Sequence, residues 1–255
     1  MSLLEINKLN KAFGGLSAVL DVSIKIKENE LIALIGPNGA GKTTMFNLIT
    51  GVYKPDEGDI IFKGEEIQGL PPYTVCKKGI ARTFQNIRLF NDLTVLDNVK
   101  IALHKDVPYS MLATVLRLPS YFKGEKALEN KAIELLDIFN LKDKKDEIAS
   151  NLPYGEQRRL EVARALATHP TLLILDEPAA GMNPNETQDL MKLIKRLKEE
   201  FNLTILLIEH DMSLVMGVCE RIYVLDYGQL IAEGKPEEIR GNKKVIEAYL
   251  GEEVG

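Results

Sequence analysis

Residues 36–43 place three glycines, a lysine and a threonine at the spacing G-x-x-x-x-G-K-T. Glycines at these positions let the main chain curl closely, so that several backbone N–H groups point at one phosphate. The lysine would add a positive charge near the β- and γ-phosphates, and the threonine hydroxyl would bind Mg²⁺. An ordinary glycine-rich turn would not need every specified position. We therefore predict a nucleotide site formed by Gly36, Pro37, Asn38, Gly39, Ala40, Gly41, Lys42, Thr43 and Thr44.

Two adjacent acids, Asp176 and Glu177, follow the apolar run 172–175 and precede Pro178. This pattern is typical of a central parallel strand, whose carboxyl end is where ligands bind in such sheets. Adjacent strand side chains point to opposite faces, so we assign Asp176 to the metal, through water, and Glu177 to the attacking water. A solvated loop is the alternative, and the apolar run disfavours it.

His210 comes at the end of an apolar run that predicts a strand over 203–208, and Gln85 is the polar last residue of a strand predicted over 80–85. Parallel strands of one sheet end at the same edge, so we expect His210 to lie near Glu177. An amide such as that of Gln85 can contact Mg²⁺ and water, although most histidines and glutamines in these settings are surface residues. Our catalytic candidates are Glu177, His210 and Gln85, and our metal-binding candidates are Thr43, Gln85 and Asp176.

The elements that position these residues form an α/β pattern. A phosphate loop between a buried strand and a helix is the expected setting for nucleotide binding. Strands are absent from the predicted pattern between Gln85 and Leu172, so we read residues 86–167 as an inserted helical subdomain. Strands are predicted over residues 3–9, 19–26, 31–35, 59–62, 80–85, 172–175, 203–208, 222–225 and 229–233. Helices are predicted over residues 94–103, 109–118, 125–139 and 186–201.

Composition limits the classes of partner. The chain has 255 residues, 45% of them hydrophobic, and a net charge of −5, which argues against a nucleic-acid partner because phosphate binding favours a basic patch. The two cysteines, Cys76 and Cys219, suggest no disulfide framework, and we expect a reducing compartment. We see no secretory signal pattern and no apolar run near the roughly 18 residues of a spanning helix. A role at a membrane would require docking on another protein.

Residues 151–159, Asn-Leu-Pro-Tyr-Gly-Glu-Gln-Arg-Arg, resemble the signature loop and helix of the ATP-binding cassette superfamily, and the resemblance covers nearly the whole chain. It implies a P-loop NTPase fold with a mostly parallel core sheet, an N-terminal antiparallel β subdomain and an inserted α-helical subdomain. Residues 1–85 and 168–255 would form the nucleotide-binding core of a single ATPase domain. The implied cofactors are ATP and Mg²⁺.

The same resemblance implies roles and partners. Phe13 looks like the aromatic residue that stacks on adenine, Gln85 like the glutamine that senses the γ-phosphate, and His210 like the switch histidine. Tyr154, Gly155 and Glu156 would bind the nucleotide of an opposing subunit in a head-to-tail dimer. Implied partners are a second ATPase subunit, membrane-spanning permease subunits at the cytoplasmic face of the membrane and, indirectly, an external substrate-binding protein.

Three positions depart from the usual family pattern: Pro153 replaces the signature serine, Glu156 the following glutamine and Asn183 an aspartate. These departures, together with residues 179–184, residues 208–217 and the insert at 105–124, resemble the larger ATPase subunit of branched-chain amino acid importers. A urea or amide importer is a close alternative, because other chains select the substrate. Two further alternatives are a soluble cassette protein acting on DNA or ribosomes and a small-molecule phosphotransferase.

Overall fold

The computed structural model describes residues 2–104 and 114–250, in which two β-sheets and nine α-helices with defined bounds form most of the regular structure. The chain divides into two units. The core unit comprises the residues up to Arg82 and those from Thr171 onward, and the helical unit comprises Thr83–Pro170. From the sequence we placed the helical insert at 86–167, which is three residues shorter at each end.

The first sheet of the core unit is antiparallel, with strand order β2-β1-β4-β5. The hairpin of β1 and β2 extends well beyond the predicted strands, because pairing continues to Phe13 and Leu16 on either side of the glycine turn. Apolar residues of this hairpin, such as Leu4 and Ile26, are fully buried in the core. The strands are β1 Ser2–Phe13, β2 Leu16–Lys27, β4 Glu57–Phe62 and β5 Glu65–Glu66.

The second sheet of the core unit is parallel except at one edge, with order β10-β9-β3-β8-β7-β6 and β10 antiparallel to β9. Its central strands β3, β7 and β8 are buried at every residue, as continuous apolar runs predict. The predicted α/β fold class, with an antiparallel β part, a mostly parallel sheet and a helical part, is confirmed. The strands are β3 Leu31–Ile35, β6 Ile80–Arg82, β7 Leu172–Asp176, β8 Thr204–Ile208, β9 Arg221–Asp226 and β10 Gln229–Gly234.

The helices of the helical unit pack on one another, and α3 contacts both α4 and α5. In the core unit, Asn183 caps α6, because its side chain accepts N–H groups of Asn185 and Glu186. The helices are α1 Lys42–Ile49, α2 Pro72–Lys78, α3 Val95–Leu103, α4 Pro119–Ile138, α5 Tyr154–Leu166, α6 Pro184–Phe201, α7 Met212–Val218, α8 Pro236–Arg240 and α9 Lys243–Leu250.

Several predicted boundaries are wrong. The strand predicted over 80–85 ends at Arg82, so Gln85 is not a strand residue. The helix predicted over 125–139 begins at Pro119, a residue that suits the first turn of a helix. The helix predicted over 109–118 lies largely outside the described residues. Helices α7, α8 and α9 were not predicted.

Among the described residues, no helix combines the length and the apolar character needed to cross a membrane.

Candidate functional site

The phosphate loop joins the end of β3 to the start of α1, the arrangement that the sequence predicts. Gly36 has φ 153°, and a Cβ there would lie 2.1 Å from the carbonyl oxygen of Leu225. Gly41 has φ 100°, and a Cβ there would lie 2.4 Å from the carbonyl oxygen of Ala18. A side chain at either position would collide with the backbone of a neighbouring strand, so only glycine fits.

Lys42 begins α1 and folds back over the loop. Its Nζ donates hydrogen bonds to the carbonyl oxygens of Gly36, at 2.6 Å, and Pro37, at 2.9 Å. Burial lowers the pKa of Lys42, and the negative charges of Glu177 and Asp176 oppose that shift. The ammonium group therefore lies in the field of both acids that the sequence singled out.

Asp176 is the last residue of β7 and is 6% exposed. Its Oδ2 accepts a hydrogen bond from Nη2 of Arg82 at 2.7 Å. Nη1 of Arg82 donates to Oδ1 of Asn47 on α1, also at 2.7 Å. Arg82 was not among the predicted site residues, and its place three residues before Gln85 is the signal that could have drawn attention to it.

Glu177 leaves the sheet directly after β7, with a left-handed φ of 45° that is uncommon for a residue with a side chain. Its backbone N–H donates to the carbonyl oxygen of Ile208, at the end of β8, at 2.9 Å. The side chains of Asp176 and Glu177 thus point in different directions because the backbone turns at Glu177. The alternation of side chains along a strand, from which we predicted this difference, is not its cause. Strain of this kind is often found at functional sites.

His210 lies beside Glu177, with 3.7 Å between Nδ1 and Oε2. The parallel strands β7 and β8 pair in register, with Asp176 opposite Ile208, which brings their carboxyl ends together. The histidine side chain is 63% exposed, whereas that of Glu177 is 21% exposed. The neighbour relation predicted from strand order is therefore present.

Glu209, which is not among the predicted site residues, connects the two strand ends. Its carboxylate is 1% exposed and accepts N–H groups of Ala179 at 2.8 Å, His210 at 3.1 Å and Asp211 at 3.4 Å. Burial raises its pKa, and the three backbone N–H groups oppose that shift. A buried acid at the end of an apolar strand, next to a histidine, is the signal that could have identified it.

Phe13 ends β1 and is 43% exposed, so its ring is accessible. Tyr53 packs against it edge to face, with 5.2 Å between ring centroids. Lys11 Nζ lies 5.5 Å from the Phe13 ring centroid. This geometry suits stacking of a base without selecting which base, since the ring has no hydroxyl group.

In the helical unit, the signature segment leads into α5, with Pro153 at the N-cap and no side-chain cap. Tyr154 is exposed, Gly155 follows it, and Glu156 is held by Lys144 at 2.6 Å. The structure therefore brings Tyr154, Gly155 and Glu156 together in the first turn of one helix, where backbone N–H groups lack intrahelical partners.

Arg158 of α5 explains the position of Gln85. It is fully buried, and its guanidinium donates to the carbonyl oxygens of Phe84 at 2.6 Å and Gln85 at 2.7 Å. It also pairs with Glu161 Oε2 at 2.9 Å, while Glu161 Oε1 accepts the N–H of Arg88. These bonds draw the backbone after Arg82 away from strand pairing, which is why the predicted strand ends early.

Side chains of the kinds that bind metals do not form a cluster in the described residues. No group of three or more His, Cys, Asp or Glu side chains there has the geometry of a metal site. Mg²⁺ in nucleotide sites usually takes one or two protein ligands and completes its shell with phosphate and water. The hydroxyl of Thr43 on α1 and the carboxylate of Asp176 are donors of the kind that this ion prefers.

A glycine-rich loop between a parallel strand and a helix, with an acid pair at the end of another strand of the same sheet, defines a P-loop nucleotide-binding protein. Comparison with protein families narrows this class. The family model described as "ABC transporter" matches residues 19–180, and that described as "Branched-chain amino acid ATP-binding cassette transporter" matches residues 229–255. This chain belongs to the ABC transporter family of ATP-binding proteins.

Curated relatives match nearly the full length. The high-affinity branched-chain amino acid transport ATP-binding protein BraF of Pseudomonas aeruginosa is 48% identical over 250 residues, covering 98% of each chain. The corresponding protein LivG of Escherichia coli is 47% identical, with the same coverage.

Solved structures share the fold. An ATP-binding cassette of an ABC transporter in its ADP conformation is 33% identical with a TM-score of 0.84, covering 98% of this chain and 99% of that one. A dimeric ATP-binding cassette in a post-hydrolysis state bound to ADP and phosphate is 27% identical with a TM-score of 0.77. The match covers 91% of this chain and 98% of that one.

Proposed function

We propose that this chain is the ATP-binding and ATP-hydrolysing motor subunit of an importer for branched-chain, hydrophobic amino acids. The observation that carries the catalytic part is the position of Glu177 beside His210, at the strand edge where Lys42 and Asp176 also meet. Similarity over 98% of the chain to branched-chain amino acid transport ATP-binding proteins supports the choice of transport system.

The residues of the core unit divide the chemistry among them. The loop N–H groups and the N-terminus of α1 bind phosphate oxygens, and Lys42 adds a positive charge. Phe13 stacks on adenine. Glu177 orients the attacking water and accepts its proton. His210 contacts both Glu177 and the γ-phosphate and so keeps their relative positions fixed. Thr43 and Asp176 would hold Mg²⁺, which would supply positive charge to neutralise the phosphates.

A second ATPase subunit completes the site. The N-terminus of α5, with Tyr154, Gly155 and Glu156, binds the nucleotide held by the opposing subunit, so that two ATP molecules lie in a head-to-tail dimer. Pro153 can donate no hydroxyl hydrogen bond there, which leaves the contact to Gly155 and the helix N-terminus. The dimeric relative bound to ADP and phosphate supports this proposal.

The subunit works at the cytoplasmic face of the membrane, attached to permease subunits, and an external binding protein delivers the amino acid to them. ATP binding closes the dimer, and hydrolysis reopens it. The similarities favour this transport system over a urea or amide importer. A soluble cassette protein and a phosphotransferase are disfavoured, because relatives that match the full length are transport proteins.

Purification of the assembled complex from its native membrane tests the proposal. We expect mass spectrometry to identify permease subunits and a related ATPase, and we expect leucine bound to the external protein to stimulate ATP hydrolysis. Stimulation by urea or an amide would move the chain to the alternative importer. Recovery of nucleic acid in place of permease subunits would contradict the proposal, as would phosphate transfer to an acceptor other than water.

A further inference from the structure

Arg82 lies against the carboxylate that we assign to the metal, and the proposed function gives it no task. Nη2 of Arg82 is 2.7 Å from Oδ2 of Asp176, and both side chains are 9% exposed. Salt screens a pair this buried far less than a surface pair, so the interaction stays strong at physiological ionic strength. The ion pair therefore restricts the orientation of Asp176.

Two further contacts fix the guanidinium itself. Nη1 donates to Oδ1 of Asn47 at 2.7 Å, and the guanidinium carbon lies 5.6 Å from the centroid of the Phe46 ring. Both partners belong to α1, the helix that follows the phosphate loop. The backbone of Arg82 lies in register with Ile174 on the neighbouring strand β7. Arg82 thus joins α1 and the end of β7 through one rigid, planar group.

Such an arrangement is what a metal-binding carboxylate requires. Hydrogen-bonding partners behind a metal ligand set its orientation, and their loss typically costs 10–100-fold in metal affinity or activity. A lysine at the same position would keep the positive charge but would lack the planar fork that reaches Asn47 and Asp176 together. The substitution Arg82→Lys therefore tests the positioning of Asp176 while keeping the positive charge.

We propose that Arg82 is a positioning residue for Asp176, which sets the affinity of the nucleotide-loaded site for its divalent cation. The proposal rests on the proposed function in taking Asp176 as the metal-binding carboxylate. Its distinguishing signature is a loss of metal affinity at unchanged affinity for metal-free ATP.

The test measures metal binding without turnover. Mn²⁺ serves as the spectroscopic probe. It is titrated into the ATP-loaded protein and followed by electron paramagnetic resonance. The parent protein and every variant carry Glu177→Gln, which prevents hydrolysis. We expect Arg82→Lys to weaken Mn²⁺ binding about 10–100-fold. Binding of ATP in excess EDTA, followed by a fluorescent analogue, should stay within about twofold of the parent protein.

A second variant and a matched control accompany it. Asn47→Ala removes one anchor of the guanidinium and leaves its contact with Asp176, so we expect a smaller loss of Mn²⁺ affinity in the same direction. Arg221→Lys is the control, because Arg221 is likewise an arginine in close ion pairs, with Glu233 at 2.6 Å and Glu30 at 2.8 Å, but it lies on β9 in the other half of the same sheet. It should leave Mn²⁺ affinity unchanged.

Two results overturn the proposal in different ways. If Arg82→Lys and Asn47→Ala lower the unfolding temperature but keep the parent Mn²⁺ affinity, Arg82 only holds the fold together. If Asp176→Asn also leaves Mn²⁺ affinity unchanged, the metal assignment in the proposed function is the part that fails. Should Arg82→Lys not fold, the Asn47→Ala titration decides the question alone.

Discussion

The phosphate loop and the signature segment both lead into a helix whose first residues have no side-chain cap, yet their surroundings differ. Around the phosphate loop, the core unit gathers a lysine, two acids and a histidine, and Lys42 bonds to the loop that precedes it. The signature segment has no comparable catalytic group. Its charged side chains instead bind its own unit, as Arg158 and Glu156 do.

Under the proposed function, this difference gives the two regions different tasks. The phosphate loop has the groups for binding and for chemistry, whereas the signature segment offers backbone N–H groups and a glycine, which suit recognition of a phosphate held by another chain. Substitutions in the first region should therefore abolish binding or hydrolysis directly. Substitutions in the second should act only when two subunits meet.

The largest expected effect separates hydrolysis from binding. Glu177→Gln removes the group that accepts the proton, so we expect the hydrolysis rate to fall about 10²–10⁴-fold while ATP stays bound. Steady-state phosphate release and size-exclusion chromatography with ATP measure this, and a trapped dimer should appear. Glu199→Gln on the exposed face of α6 is the control. Unimpaired hydrolysis by Glu177→Gln would remove that residue from the base role.

The next effect concerns binding by the phosphate loop. Lys42→Ala removes a charge-assisted contact worth about 2 kcal/mol, so ATP affinity should fall roughly 30-fold. Isothermal titration of the isolated subunit measures it, with Lys192→Ala as the exposed control. An ATP affinity equal to that of the parent protein would count against the assignment of the loop.

The signature segment should show the opposite pattern. Gly155→Asp places a negative charge at the N-terminus of α5, where it would repel a phosphate of the opposing subunit. We expect at least about tenfold slower hydrolysis, corresponding to 1.4 kcal/mol, with ATP affinity of the isolated subunit unchanged. Ser150→Asp adds the same charge elsewhere in the helical unit. If Gly155→Asp weakens ATP binding by the isolated subunit, the division between the two regions is wrong.

The smallest effect tests Pro153. Serine is a better N-cap residue because its hydroxyl accepts a backbone N–H of the first turn, so Pro153→Ser should stabilise α5 by about 0.5–1 kcal/mol. Thermal unfolding measures this gain. Hydrolysis should rise no more than severalfold, and a larger rise would mean that the missing hydroxyl limits catalysis.

Prediction from the sequence succeeds where the signal is local. The phosphate loop is eight consecutive residues between a strand and a helix, and the acid pair lies at the end of a buried strand. The proximity of His210 and Glu177 needed only the rule that parallel strands end at one edge. The binding and catalytic roles given to all the site residues, including Phe13, Gln85 and Tyr154, stay predictions.

Residues whose partners lie far along the chain were missed. Arg82 pairs with Asp176, 94 residues away, and Arg158 bonds to the carbonyl oxygen of Gln85, 73 residues away. Neither pairing changes local periodicity, so no pattern indicates it. The error at the end of β6 has the same origin, because Arg158 takes up the carbonyl groups that a longer strand would have used.

The buried Arg158 has a mechanical consequence. Because its guanidinium holds the carbonyl oxygens of Phe84 and Gln85, and Glu161 holds the N–H of Arg88, the segment around Gln85 is tied to α5 at several points. A rotation of α5 would displace this segment as well, because these hydrogen bonds connect the two. We therefore expect α5 and the segment around Gln85 to be displaced together when either one moves.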